Sequence, residues 1–150
     1  KKGQGSRIGS AFTTKAILLG ILLQINIYIA ITYDLVECSK ELTHWALWLT
    51  GVQIMISLKC SMDLDIEKKT GWLAAHHVLF SIITPMNLLV TTVYWTVLRE
   101  HALATFANTA TKAFHSGFVH TMPLVCNLVN FAVTDVVIKA SHGLALLPFP

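Results

Sequence analysis

Two residues of this chain carry side chains that together could do nucleophilic chemistry. Thr43 opens one apolar block, and His120 lies in the first third of another. A hydroxyl is a weak nucleophile until a base takes its proton, and imidazole is the side chain suited to that task near neutral pH. The chemistry such a pair could support is acyl transfer, with no metal and no soluble cofactor. The chain has seven histidines in all. His44, His101, His115 and His120 fall toward one end of the predicted helices, and His76, His77 and His142 toward the other. Four imidazoles near one surface could hold a metal or a haem between helices. However, no HxxxH or HExxH spacing occurs, and His115 and His120 are five apart, on different faces of a helix. No metal site is therefore expected. Cys38, Cys60 and Cys126 stand far apart, and their odd number excludes a full disulfide framework; they read as small buried apolar side chains.

The elements that must position Thr43 and His120 follow from composition. Of 150 residues 54% are hydrophobic and 13% charged, too little charge to cover a soluble domain of this length. The apolar residues fall in long blocks, so the fold class expected is all-α: a polytopic transmembrane helical bundle of about four spans. The spans are placed at 16–33, 42–58, 71–98 and 113–138. The first has eighteen uncharged residues, roughly 27 Å of helix and enough for the hydrocarbon core. Residues 1–15 read as a basic, polar leader, flexible or lying on the surface, and the block after it lacks the cleavage site of a signal peptide. Residues 34–41 form an acidic connector, 59–70 a charged loop, and 99–112 a polar connector lying on the membrane surface. Pro85 removes a backbone bond inside the third span and predicts a kink near Ile82.

Eight Lys and Arg residues lie in the leader, in the 59–70 loop and after the fourth span, against Lys40, Arg99 and Lys112 on the other side. The positive-inside rule then puts both termini in the cytoplasm or an equivalent compartment. Thr43 and His120 thereby share the opposite side. They differ in depth, because His120 sits on the order of 10 Å below Ala113 while Thr43 lies at the rim. Either the second helix starts earlier, near Val36, or the two residues share a water-filled funnel.

Polar groups inside spans must face protein or water. Gln24, Asn26, Asn87, Asn127 and Asn130 are expected to bond between helices, with Asn127 also a candidate neighbour of His120. Asp135 and Lys139, four apart, can pair along one helix face. Trp45, Trp48, Trp72, Tyr94 and Trp95 suit an aromatic belt at the span ends. Net charge is only +3, and the basic residues are not interleaved with aromatics, so nucleic acid is not an expected partner. No internal repeat supports a transporter.

Several segments resemble the androgen-induced membrane protein family, which has plant and fungal members. Leu42–Leu47 is similar to the Leu-Thr start of that family's second helix, and Pro85–Trp95 to its proline-containing third helix ending in an aromatic-Trp pair. His120–Val125 resembles its histidine-led fourth helix. Asp135 falls where many plant members carry an aspartate, and Leu147–Pro150 is similar to the motif before their next helix. The pieces occur in the family's order across residues 16–150. The resemblance implies an endomembrane protein of five or six spans that hydrolyses fatty acid esters of hydroxy fatty acids, with Thr43 as nucleophile and His120 as base. His44, next to Thr43, is a competitor for the base role. The family's further spans then either follow Pro150 or have been lost from this member together with the activity.

A second reading is a non-catalytic accessory subunit of a larger membrane assembly, in the inner mitochondrial or another membrane. It would use its spans for helix packing and lipid contact, with Gln24, Asn26 and Asn87 as interhelical bonds.

Overall fold

A computed structural model describes residues 2–34, 38, 41–62, 66–106 and 109–134. Among these every regular element is helical. Helix α1 spans Lys2–Thr32, α2 Leu42–Met62 and α3 Ile66–Val93. A π-helical turn, Tyr94–Leu98, continues α3 directly into the short α4, Arg99–Thr105, and α5 spans Ala110–Ala132. Asp135, Lys139, His142 and the closing Leu147–Pro150 lie outside the described residues.

Two stretches are long and apolar enough to cross a membrane, Gly9–Thr32 with mean hydropathy 1.8 and Thr70–Thr105 with mean hydropathy 1.5. α2 and α5 contain no such stretch, and both carry polar residues on their buried faces. That of α2 includes Thr43, His44, Thr50, Gln53 and Ser57, and that of α5 includes Asn127 and Asn130. Polar residues are concentrated where a soluble protein keeps its oil. Thr50, Gln53, Asn127 and Asn130 are fully buried, whereas Ile31 is 81% and Phe114 71% exposed.

α1 and α3 each pack against both α2 and α5. The α1 seam is apolar: Leu18, Leu22, Ile25 and Ile29 recur at three- and four-residue spacing and cluster with Leu47, Ile54, Val119 and Cys126. The α3 seam is held by hydrogen bonds in antiparallel register. Thr91 Oγ1 donates to the His120 carbonyl at 2.7 Å, Asn127 Nδ2 to Thr84 Oγ1 at 2.7 Å, and Asn130 Nδ2 to His76 Nε2 at 3.3 Å. Asn87 Nδ2 donates to Thr50 Oγ1 of α2 at 2.9 Å. The three asparagines of α3 and α5 thus make the interhelical bonds expected of them.

Gln24 and Asn26 do not. Gln24 is exposed, and Asn26 donates to the Leu22 carbonyl of its own helix at 2.7 Å, because the inward face of α1 is already filled by its aliphatic residues. α1 also starts well before Ala16. Thr13 and Thr14 donate to the carbonyls of Gly9 and Ser10, so residues expected in a leader continue the helix. Lys15 is buried at this end, with Nζ 2.9 Å from Ser61 Oγ. Regular α-helix runs through Ile82 and Pro85. The departure from it falls at Tyr94–Leu98, where the Arg99 amide donates to the Tyr94 carbonyl five residues back. Beyond it the chain stays helical to Thr105, so the first half of the expected surface connector prolongs the third apolar helix.

Replacing Asn127 with alanine removes an interhelical bond and should destabilise the detergent-solubilised protein by about 1 kcal/mol. Asn26→Ala, which breaks only a local bond, should stay within about 0.5 kcal/mol. Thermal unfolding followed by circular dichroism ranks the two, and equal losses would contradict the assigned register.

Candidate functional site

Thr43 and His120 line the same cavity, of about 700 Å³, at the end of the bundle where α1 stops and α2 begins. Its wall also carries Tyr33, Glu41, His44, Tyr94, His101, His115 and Ser116. All four histidines assigned to one side by sequence therefore meet at one site. The five-residue spacing of His115 and His120 does not separate them, because the cavity is wide enough to touch both faces of α5. Of the two ways to reconcile their depths, α2 starting at Leu42 rather than near Val36 leaves the funnel: Thr43 on its rim, His120 one turn beyond Ser116 on its wall.

Each key side chain has an identifiable cause for its placement. Thr43 lies in the first turn of α2. Thr50, Thr84, Thr96 and Thr105 all donate to the carbonyl four residues back. The Thr43 hydroxyl makes no such bond among the described residues and stands free at the cavity. The amides of His44 and Trp45 both turn back to the Glu41 carbonyl, at 3.1 and 3.4 Å, which starts the helix and leaves the Leu42 and Thr43 amides ahead of its ladder.

His120 is oriented from two directions. Its Nδ1 lies 2.7 Å from the Ser116 carbonyl. A carbonyl can only accept, so Nδ1 carries the proton and Nε2 is left as the acceptor. The Tyr94 ring stacks on the imidazole with centroids 4.1 Å apart and planes 16° apart. Tyr94 is buried to 2% exposure, so it does not belong to an aromatic belt. The π-helical turn that begins at Tyr94 marks where α3 changes geometry beside the site. Trp95, its neighbour, stays exposed, donates to Thr121 Oγ1 at 2.9 Å and receives the Arg99 guanidinium 5.2 Å above its ring. The α5 backbone around His120 is held as well. Pro123 has no N–H and disturbs the turn before it, and Thr91 donates to the His120 carbonyl in that turn.

The other two imidazoles that approach Thr43 and His120 have partners of their own. His44 Nδ1 lies 3.1 Å from a Glu41 carboxylate oxygen, and His115 sits against the rings of Tyr28 and Tyr33 at 4.2 and 6.0 Å. No hydrogen bond joins Thr43 to His120 directly. Among the described residues no three His, Cys, Asp or Glu side chains converge as a metal would need. The three cysteines are buried and form no disulfide among the described residues. Asn127, expected near His120, bonds to Thr84 below the cavity and does not line it. Sequence reasoning missed Tyr94 and Ser116. Only the proximity of Tyr94 to Pro85 in α3 and the four-residue step from Ser116 to His120 could have pointed to them.

Comparison of the chain with models of known protein families, with curated proteins and with solved structures finds no match.

Histidine-labelled protein should give long-range ¹H–¹⁵N patterns for His120 of the Nδ1–H tautomer at near-neutral pH. An Nε2–H pattern would mean that the ring offers the cavity a donor rather than a base. Tyr94→Phe should leave the pattern sharp, and Tyr94→Leu should broaden it by releasing the ring.

Proposed function

We propose that this chain is an integral membrane hydrolase of lipid esters, with Thr43 as nucleophile and His120 as base. The observation that carries the reading is the shared cavity, in which a threonine hydroxyl free of its own helix faces a wall holding an imidazole with one nitrogen open. The inside-out distribution of polarity supports four membrane crossings, α1, α2, α3 and α5, since only a lipid surround makes an apolar exterior and a polar interior compatible. The charge asymmetry supports both ends on the positive side. Among lipid esters, the resemblance noted in the sequence favours fatty acid esters of hydroxy fatty acids, and an endomembrane setting. Leu42 and Leu98 line the cavity and are also exposed, an apolar mouth suited to acyl chains arriving from the bilayer.

In this mechanism His120 Nε2 takes the Thr43 hydroxyl proton as Oγ1 attacks the ester carbonyl. The Leu42 and Thr43 amides at the start of α2 are the nearest uncommitted donors for the resulting oxyanion. Collapse breaks the ester bond, and the imidazolium returns its proton to the leaving alcohol. Water from the funnel, deprotonated by His120, then attacks the acyl-threonine, releases the acid and restores the hydroxyl. Ser116, through its carbonyl, and Tyr94, through its ring, act as positioning groups.

A non-catalytic subunit of a larger membrane assembly is the second reading, favoured by the lack of a direct Thr43–His120 hydrogen bond. A fluorophosphonate serine/threonine-hydrolase probe separates the two. Wild type should label, and Thr43→Ala and His120→Ala should each lose labelling by about 10²-fold or more while keeping wild-type helicity. Folded wild-type protein that takes up no probe would sink the hydrolase and leave the subunit.

A further inference from the structure

Below the cavity the bundle interior holds polar side chains whose partners do not add up. Gln53 is fully buried in α2, and neither its Nε2 nor its Oε1 has a hydrogen-bond partner. Asn87 and Asn127 each donate through Nδ2, yet both Oδ1 atoms are buried and unpartnered. His76 accepts from Asn130 at Nε2, and its Nδ1 is buried without a partner. A buried amide or imidazole atom left unpaired is costly, and five such atoms lie in one seam. Buried groups of this kind are ordinarily bonded to internal water, which needs two to four polar neighbours of both senses. This seam has them: open acceptors on Asn87, Asn127 and Gln53, and an open donor on Gln53. That unpaired Gln53 amide donor, and the lack of any buried carboxylate among the described residues of the seam, make a resident cation a poor fit.

The polar groups form a ladder from one end of the bundle to the other. From the cavity it descends through His120 and Thr91, then Asn87 with Thr50, then Gln53, Thr84 and Asn127. Below these come Asn130 with His76, then Ser57 and Thr134 with hydroxyls 3.4 Å apart. It ends at Ser61, which receives Lys15 Nζ. Every downward step, such as Thr91 to Asn87, Asn127 to Asn130 or Ser57 to Ser61, is three or four residues along one helix. That is about one turn, roughly 5 Å, a gap that one water bridges. Leu47, Ile54 and Ile83 of the same helices are fully buried as well.

We infer that the bundle interior holds a file of bound water, running from the cavity past Gln53 to the Lys15–Ser61 end, that conducts protons across the membrane. Protons pass by exchange between waters, hydroxyls and the two imidazoles on the route, His120 and His76, with no net chemistry. This inference rests on the four-crossing reading and is independent of ester hydrolysis.

The test is proton flux into liposomes carrying the purified chain, with a trapped pH dye and a potassium gradient plus valinomycin to drive entry. Vesicles are first checked by flotation and resistance to alkaline extraction. Wild type should acidify the lumen several-fold faster than protein-free vesicles. Gln53→Leu, close in volume and expected to fold, should return the rate to that of empty vesicles while leaving fluorophosphonate labelling of Thr43 at its wild-type level. A double replacement of Asn87 and Asn127 by leucine should do the same. Incorporated wild-type protein with no flux above empty vesicles overturns the inference. So does flux that persists in both leucine variants, which would be leakage around the protein. Failure of the extraction check would remove the membrane-crossing reading itself, and loss of labelling alone would remove only the hydrolase.

Discussion

The interaction on which the rest of this fold depends is the bonding of side-chain amides across helices whose outer faces are apolar. Asn87 to Thr50, Asn127 to Thr84 and Asn130 to His76 tie α3 to α2 and α5. Apolar contact alone is weakly directional, and in lipid it gives helices little reason to prefer one register over another. Fully buried amides are different, because a slip of one residue would carry each from a partner to an aliphatic neighbour. The α1 seam, mostly Leu and Ile, has no such buried amide; its polar tie is the long Lys15 side chain, bonded to Ser57 and Ser61 of α2. Register in the bundle is therefore set on the α3 side and merely filled on the α1 side.

That register decides where the cavity lies and what lines it. With Asn127 level with Thr84 and Asn130 level with His76, the chain direction brings His120 up beside Thr91 and Tyr94. α2, running the same way as α5, brings its first turn to the same end. α1 ends nearby at Thr32, and α5 starts at Ala110, so the space between them is walled both by helix ends and by the flanks of α5 and of the Tyr94–Thr105 stretch. Helix ends supply what flanks cannot: amides ahead of the helical ladder. Tyr94 reaches His120 where the π-helical turn interrupts the α pattern, and the same turn leaves Trp95 on the outside.

Much of this was legible in the sequence, and the illegible parts have physical causes. Long apolar blocks gave the helical class, and the charge asymmetry grouped His44, His101, His115 and His120, which the cavity brings together. The asparagines of α3 and α5 make interhelical bonds because the facing helices offer the hydroxyls of Thr50 and Thr84 and the imidazole of His76 to receive them. Asn26 carries the same side chain in the same kind of block, yet bonds to its own backbone. Nothing in its local sequence differs; the difference is that its neighbours Leu22, Ile25 and Ile29 already fill the inward face. The start of α1 was missed because Gly, Ser and Thr argue for loop, whereas Thr13 and Thr14 satisfy themselves on the carbonyls a turn earlier. The helical continuation through Arg99–Thr105 was missed because charged residues look like a connector, whereas a helix that overruns its apolar stretch can hold Arg99 above Trp95.

The position of Thr43 is the clearest case of structure converting a common residue into a rare one. Thr50 is the same side chain two turns down the same helix, and its hydroxyl is doubly engaged, donating to Ala46 and accepting from Asn87. It serves packing and has no proton to offer a base. Thr43 differs only in being early. It lies in the first turn of its helix, beside the amides ahead of the ladder, and its hydroxyl bonds to no described residue. A threonine nucleophile within a membrane bundle is thus most readily placed at a helix start facing a cavity. A base opposite it must then lie deeper on a neighbouring helix, where a carbonyl one turn back can hold one ring nitrogen and leave the other open. Ser116 and His120 stand in that relation. In the proposed hydrolase the depth offset between Thr43 and His120 follows from the roles assigned to them, since one needs the first turn of its helix and the other needs a preceding turn.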